Sequence, residues 1–354
     1  MRKAVVVVVL VLVGVGALVA VVLRHGSRQQ QRGSASVEAG LAASKPGASQ
    51  KEPTGTVHNA QARPIEPKKS DAALVAQMSA YEKQFPPDLS GTIRSIVGLG
   101  SKRSYGARAE AVQKLGTNLS SNDIQGLYVF LKSLKEEQGT KLDLLEIESV
   151  RNDVLDLLMR QTELPADLAK LMVGVFRDTK QNEVWRDYCV QHFGAFSRRK
   201  WTSLGAAESD QDWHAMTNAL WSAAGETKTQ MAGTALISMK MLSDPEYPML
   251  DRAMVENLIL QLAIDEQCGE PARVTALRLC GELGKKEALP SARVAAQTGE
   301  GFHIRLAATA TIGDLGDKTD VELLETIVAS SDKQLKPCSE SALKRLKARL
   351  AVKP

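Results

Sequence analysis

Cys189 and His192 stand three residues apart, with His214 downstream, and these are the residue types that a thiolate nucleophile or a metal site draws on. On a helix the first two share a face. A metal centre needs further ligands at fixed spacing and none follows, so the pair reads better as a core cysteine beside a histidine. No Walker loop, HExxH, G-x-S-x-G or Cys-x-x-Cys pattern occurs anywhere in the chain. Gly98-Leu99-Gly100 opens like a dinucleotide fingerprint, but it follows no strand and lacks the third glycine. No catalytic residue, metal ligand or cofactor is therefore assigned, and the chain is read as non-enzymatic.

The residue types left over are those of binding. All four tryptophans, Trp185, Trp201, Trp213 and Trp221, fall within 37 residues, alongside Tyr188, Phe193 and Phe196, and Arg198, Arg199 and Lys200 interrupt them. Aromatic and arginine side chains are favoured interface anchors. Trp185, Arg198, Arg199, Trp201, Trp213 and Trp221 are accordingly the candidate partner-binding residues, with an acidic peptide as the candidate ligand. The same aromatics would serve equally as bulky fillers of a local core, because Trp185, Trp213 and Trp221 sit in helical patterns. Trp201, in the polar stretch 197–211, is the one expected to be exposed.

The elements that must position these residues are helices. From Asp71 onward apolar residues recur at helical spacing: Ile147, Val150, Val154, Leu157 and Leu158; Val255, Leu258, Ile259 and Leu262; Val321, Leu324 and Val328. Each stripe needs a neighbouring helix to cover it. Only 4% of the residues are aromatic and β-branched residues do not cluster, so an all-α fold is predicted.

Internal similarity then sets the architecture. Arg273 to Gly284 aligns with Arg305 to Gly316 at an offset of 32, pairing Ala276 with Ala308, Cys280 with Ile312 and Leu283 with Leu315. A further step of 31 brings in Lys336, Ser339, Leu343 and Leu346. Fainter echoes begin at Arg108, Arg151 and Arg186, and another first helix is predicted around Met231 to Leu242. Small residues at Ala276 and Ala308 let helices approach. Gly284 and Gly316 are predicted to close helices in the left-handed conformation, and Asp320 to cap the next helix. One such helix pair cannot bury its own apolar face, so the pairs must stack.

The pattern Arg305-x-x-Ala308-x-x-x-Ile312-Gly313-x-Leu315-Gly316-Asp317, followed by Leu323 and Leu324, resembles the HEAT-repeat family, in particular the short HEAT-like repeats of the phycobilisome-lyase type. The match is best over 271–350, weak over 105–245 and absent before about 100. The resemblance implies an α-solenoid used as a protein-binding scaffold. It also leaves two alternatives: a HEAT-like enzyme of the lyase or DNA glycosylase kind, or a structural spacer in an envelope. No residue carries over for the lyase activity.

The first seventy residues differ from the rest. Ala4 to Leu23 is a run of twenty apolar residues, and at helical rise about that many cross a hydrocarbon core of about 30 Å. Signal-peptide apolar regions are shorter, about 7–15 residues, and are followed closely by a cleavage site. An uncleaved anchor is therefore the reading for residues 1–25, with cleavage and secretion as the alternative. The short amino-terminal flank favours a domain outside the membrane, in the periplasm. Residues 26–70 are rich in Ser, Gly, Ala, Gln and Pro and read as a disordered linker, which as coil would reach about 35–40 Å. Residues 71–104 read as a helical cap and 105–354 as the repeat domain.

Charge argues against nucleic acid. Residues 1–70 hold ten Lys/Arg against three Glu, leaving 35 basic and 38 acidic residues, net −3, on the remainder. A nucleic-acid reader concentrates its positive charge on the folded part. The partners expected are proteins and, through residues 1–25, a membrane. Cys189, Cys268, Cys280 and Cys338 are too scattered for a disulfide framework and read as small core residues.

Overall fold

The computed structural model describes residues 71–99, 104–134, 144–204, 210–299, 301–330 and 332–351. The anchor predicted at Ala4 to Leu23 and the linker 26–70 lie outside them. Among the described residues no helix is long and apolar enough to cross a membrane.

The described chain is all helical. Fifteen α-helices follow one another with no strand between them: α1 (Asp71–Glu82), α2 (Gly91–Ile96), α3 (Tyr105–Gln113), α4 (Ser121–Lys132), α5 (Leu144–Met159), α6 (Leu168–Arg177), α7 (Glu183–Leu204), α8 (Gln211–Gly225), α9 (Gln230–Leu242), α10 (Arg252–Ile264), α11 (Glu270–Leu283), α12 (Leu289–Thr298), α13 (Phe302–Leu315), α14 (Asp320–Ala329) and α15 (Lys336–Ala351). A short 3-10 turn, Lys286–Ala288, joins α11 to α12.

From α3 onward the helices form two layers. The odd-numbered helices α3 to α15 pack each on the next, and each even-numbered helix packs back on the odd helix that follows it. This is the stacking of helix pairs that the repeats predict, and one continuous core runs from Tyr81 to Leu346. The odd layer is the tight one. A Cβ added at Gly313 would stand 2.7 Å from the Ala342 Cα, and one at Gly233 would stand 2.7 Å from the Thr275 Oγ1. Thr311 ties the layer together by donating its hydroxyl to Leu277 O across the α11–α13 contact, at 2.9 Å. Even-layer helices touch one another sparsely, so the stack opens on that side.

The repeated arginine has a structural cause. The last carbonyls of a helix lack intrahelical donors and carry the negative end of its dipole, so a guanidinium held there is stabilising. Arg108 Nε donates to Ile96 O at the end of α2 (2.6 Å), Arg186 Nε to Phe176 O near the end of α6 (2.7 Å), and Arg273 Nε to Ala263 O near the end of α10 (3.2 Å). Arg151 donates to Ser133 O, the residue that follows α4. Each arginine in an odd helix therefore closes the even helix before it. Arg305 departs from this and pairs with Asp332 at 3.1 Å.

Two cap assignments need correction. Gly284 closes α11 with φ 72, as predicted, but Gly316 has φ −59. Glycine is needed there for space: a Cβ would meet Ile312 O at 2.5 Å and the Asp320 carboxylate at 2.7 Å. Asp320 does not cap α14 from outside, because it is the first helical residue and Thr319 precedes it. Its buried carboxylate instead accepts Asp317 N (2.8 Å) and the two-pronged guanidinium of Arg293 (2.7 and 2.9 Å).

Candidate interaction surface

The structure uses the residues with chemical potential as packing. Cys189 is fully buried, and burial pushes its thiol well above the usual range, so the nucleophilic thiolate is suppressed. His192 shares a hydrogen bond with Asn152 Oδ1 (3.1 Å) and lies 3.8 Å from an Asp156 oxygen; burial lowers its pKa while Asp156 opposes the shift. His214 sits on α8 with its ring 4.5 Å from that of Trp213. Among the described residues no group of three His, Cys, Asp or Glu side chains is placed to hold a metal ion. Gly98, with φ 85, follows the end of α2, and Gly100 lies outside the described residues.

The tryptophan and arginine cluster is distributed through α7 and α8 instead of forming one exposed ridge. Trp185 is wholly buried, its indole N–H donating to Leu131 O (3.2 Å) with the Arg151 guanidinium 5.5 Å from its ring centre. It offers a partner no surface. Arg199 is committed to the end of α5, donating to the carbonyls of Met159, Gln161 and Thr162. Lys200 pairs with Asp210 (3.1 Å) and Asp212 (3.2 Å). Arg198 alone of the three is exposed, and its guanidinium lies 5.9 Å from the Tyr247 ring centre. Trp213 and Trp221 are half-buried against the core. Trp201, expected to be exposed, is also half-buried, because residues 197–204 continue the 22-residue α7 and lay the indole on the core.

The surface that is open lies elsewhere, between α4 and α6, where the even layer parts. The groove holds about 400 Å³ and is lined by Gln125, Tyr128 and Lys132 of α4, by Asp167, Lys170, Leu171, Gly174 and Val175 at and along α6, and by Asp178 and Gln181 beyond it. Its walls follow from the sequence. α6 buries Leu168, Ala169, Leu171, Met172, Val173, Val175 and Phe176, leaving Lys170 and Gly174 on its outer side. Ser120 starts α4 by accepting Asp123 N at 3.1 Å.

Three features distinguish the groove. Gly174 sits mid-helix, and a Cβ there would meet nothing within 4 Å, so the notch is open. Asp167 has φ 60, the one non-glycine residue at positive φ among the described residues, and its carboxylate makes no capping bond. Such backbone strain costs about 1–3 kcal/mol and collects at functional positions. Third, the charges are unbalanced. Asp178 is occupied by Lys180 N (3.0 Å) and the Gln181 amide (3.3 Å), whereas Lys132 and Lys170 make no ion pair among the described residues. Two free ammonium groups therefore face one free carboxylate.

Tyr128 forms the floor. Its hydroxyl donates to Ala166 O at 2.7 Å, and burial, aided by the Asp167 and Asp212 carboxylates, pushes its pKa up, so it stays protonated. The sequence reading missed all of these residues. The one available signal was Gly174, a glycine inside a strongly one-sided helix, which usually marks packing or function.

Fold and groove together define a two-layer helical stack of repeated pairs with an open slot on its looser side. No family model matches the chain, and no curated protein does. A solved structure, that of human deoxyhypusine hydroxylase in complex with glycerol, is similar over 77% of this chain and 98% of that one, with 12% identity and a TM-score of 0.28. Nothing of that protein's chemistry is carried across.

Proposed function

We propose that the chain is a HEAT-like, membrane-tethered scaffold that docks a protein partner on the outer face of its helical stack. The observation that supports this reading best is the α4–α6 groove, where two unpaired lysines and an open glycine notch sit on rigid helices. A rigid concave site with a few placed polar groups is how proteins present binding sites. The tether rests on the apolar run Ala4 to Leu23 and its polar sequel, which would hold the stack clear of the bilayer on the periplasmic side.

A photocrosslinking residue placed at Gln125 or Lys170 of the full chain in living cells tests the docking. Discrete adducts are expected from both positions and none from Ser222 on α8; equal smears from all three would overturn it. Deleting residues 4–23 is expected to release the chain from the membrane fraction, and protease added to intact cells is expected to digest the tethered form. A chain without 4–23 that still sediments with membranes would remove the tether from the proposal.

A further inference from the structure

We infer that the α4–α6 groove takes an aliphatic peptide segment flanked by carboxylates, an inference that rests on the scaffold reading and names the partner's chemistry. The floor is apolar and narrow. Leu171, Val175 and the Tyr128 ring line it, and Gly174 leaves a notch in which an added Cβ meets nothing. An aliphatic side chain from a partner fills that notch and buries its apolar area without displacing any protein atom. The rim is positive in effect: Lys132 and Lys170 are unpaired, Asp178 is already satisfied by Lys180 N and Gln181, and Asp167 alone remains to oppose them. A neutral or basic segment would leave both ammonium groups uncompensated as water is excluded, whereas a segment with Asp or Glu on either side of its aliphatic anchor supplies the missing charges. Asp167 sets the register, accepting one backbone N–H or hydroxyl of the segment.

The notch also gives a clean test. Gly174→Leu fills the site from the protein's own side, in open space, and replaces a helix-interior glycine by a better helix former. Its melting temperature should therefore be unchanged or higher. A displayed library of random dodecapeptides is selected on the purified full chain in detergent micelles, and each enriched peptide is then titrated against the variants. Peptides with an aliphatic centre and flanking Asp or Glu are expected. Their affinity should fall tenfold or more in Gly174→Leu and by a similar factor in the double variant Lys132→Glu, Lys170→Glu, and raised salt should weaken it in the wild type only. Enrichment of basic peptides, affinities indifferent to Gly174→Leu, or no enrichment at all would overturn the inference. If adducts at Gln125 and Lys170 nevertheless form in cells, the scaffold reading survives with a folded surface as partner; if those adducts are also missing, both fall.

Discussion

The two halves of the stack solve one packing problem with different materials. From α9 to α15 the odd helices meet through glycine and other small residues, with a Cβ at Gly313 2.7 Å from Ala342 and one at Gly281 3.3 Å from Asp314. From α3 to α8 the space between helices is filled by bulk and charge. The Arg108 guanidinium lies 5.4 Å from the Phe130 ring centre and that of Arg151 5.5 Å from Trp185. Arg151 meets both oxygens of the buried Glu148, at 3.2 and 3.1 Å. Close backbone approach fixes the spacing of neighbouring helices and so gives short, even repeats. Bulky filling tolerates uneven spacing, and it is in this half that the even layer parts to leave the α4–α6 groove.

The comparison breaks most visibly at the buried charges. Glu148→Ala strands the Arg151 guanidinium away from water, and removing one partner of a buried pair costs about 3–5 kcal/mol. Urea unfolding of the full chain followed by circular dichroism is expected to show that loss, with the double variant Glu148→Leu, Arg151→Met recovering most of it. A loss below about 1 kcal/mol for the single variant would mean that charge is not what holds α5 in place.

Glycine sharpens the contrast because the same substitution should act in opposite directions in the two halves. Gly313→Ala puts a methyl group against the backbone of α15, where nothing flexible can yield, and overpacking of that kind costs about 1–3 kcal/mol. Gly174→Ala puts it into open groove on a helix, where replacing glycine gains about 0.5–1 kcal/mol. Melting temperatures of the two variants should move apart. If both fall, the notch at Gly174 is not open in solution.

How far the sequence discloses this depends on which material is used. The repeat containing Arg273, Ala276, Cys280 and Gly284 was legible down to the residue, because close approach allows few residue types at each buried position. Arg108, Arg151 and Arg186 were legible only as faint echoes, since they mark where an odd helix meets the end of the even helix before it and not a fixed period. Trp201 misled for a related reason. Polar neighbours suggested exposure, yet Arg199 and Lys200 are polar residues spent on helix ends and loop carboxylates, so the indole is laid on the core. The groove was hidden because none of its residues is unusual by type. Lys132 and Lys170 matter by what they lack, and an unpaired charge is a property of three-dimensional neighbours.

A smaller effect tests whether the filled half tolerates charge at a cost. Asp153 on α5 has its pKa raised to about 6, by burial first and by neighbouring Asp156 second, with Arg160 opposing. The fold thus disfavours the ionised form and binds the proton more tightly than the unfolded chain does. The penalty is fully present above pH 6, shrinks as pH falls through that value, and is gone below the unfolded carboxyl range near pH 4. Asp153→Asn removes it and should raise the melting temperature at pH 7.5 by about 1–2 °C, the scale of a few tenths of a kcal/mol once solvent screening of this partly exposed group is allowed for. Near pH 4 variant and parent should melt together. A gain that persists undiminished at pH 4 would show that the asparagine acts through packing or hydrogen bonding, and the carboxylate would then carry no strain in the amino-terminal half.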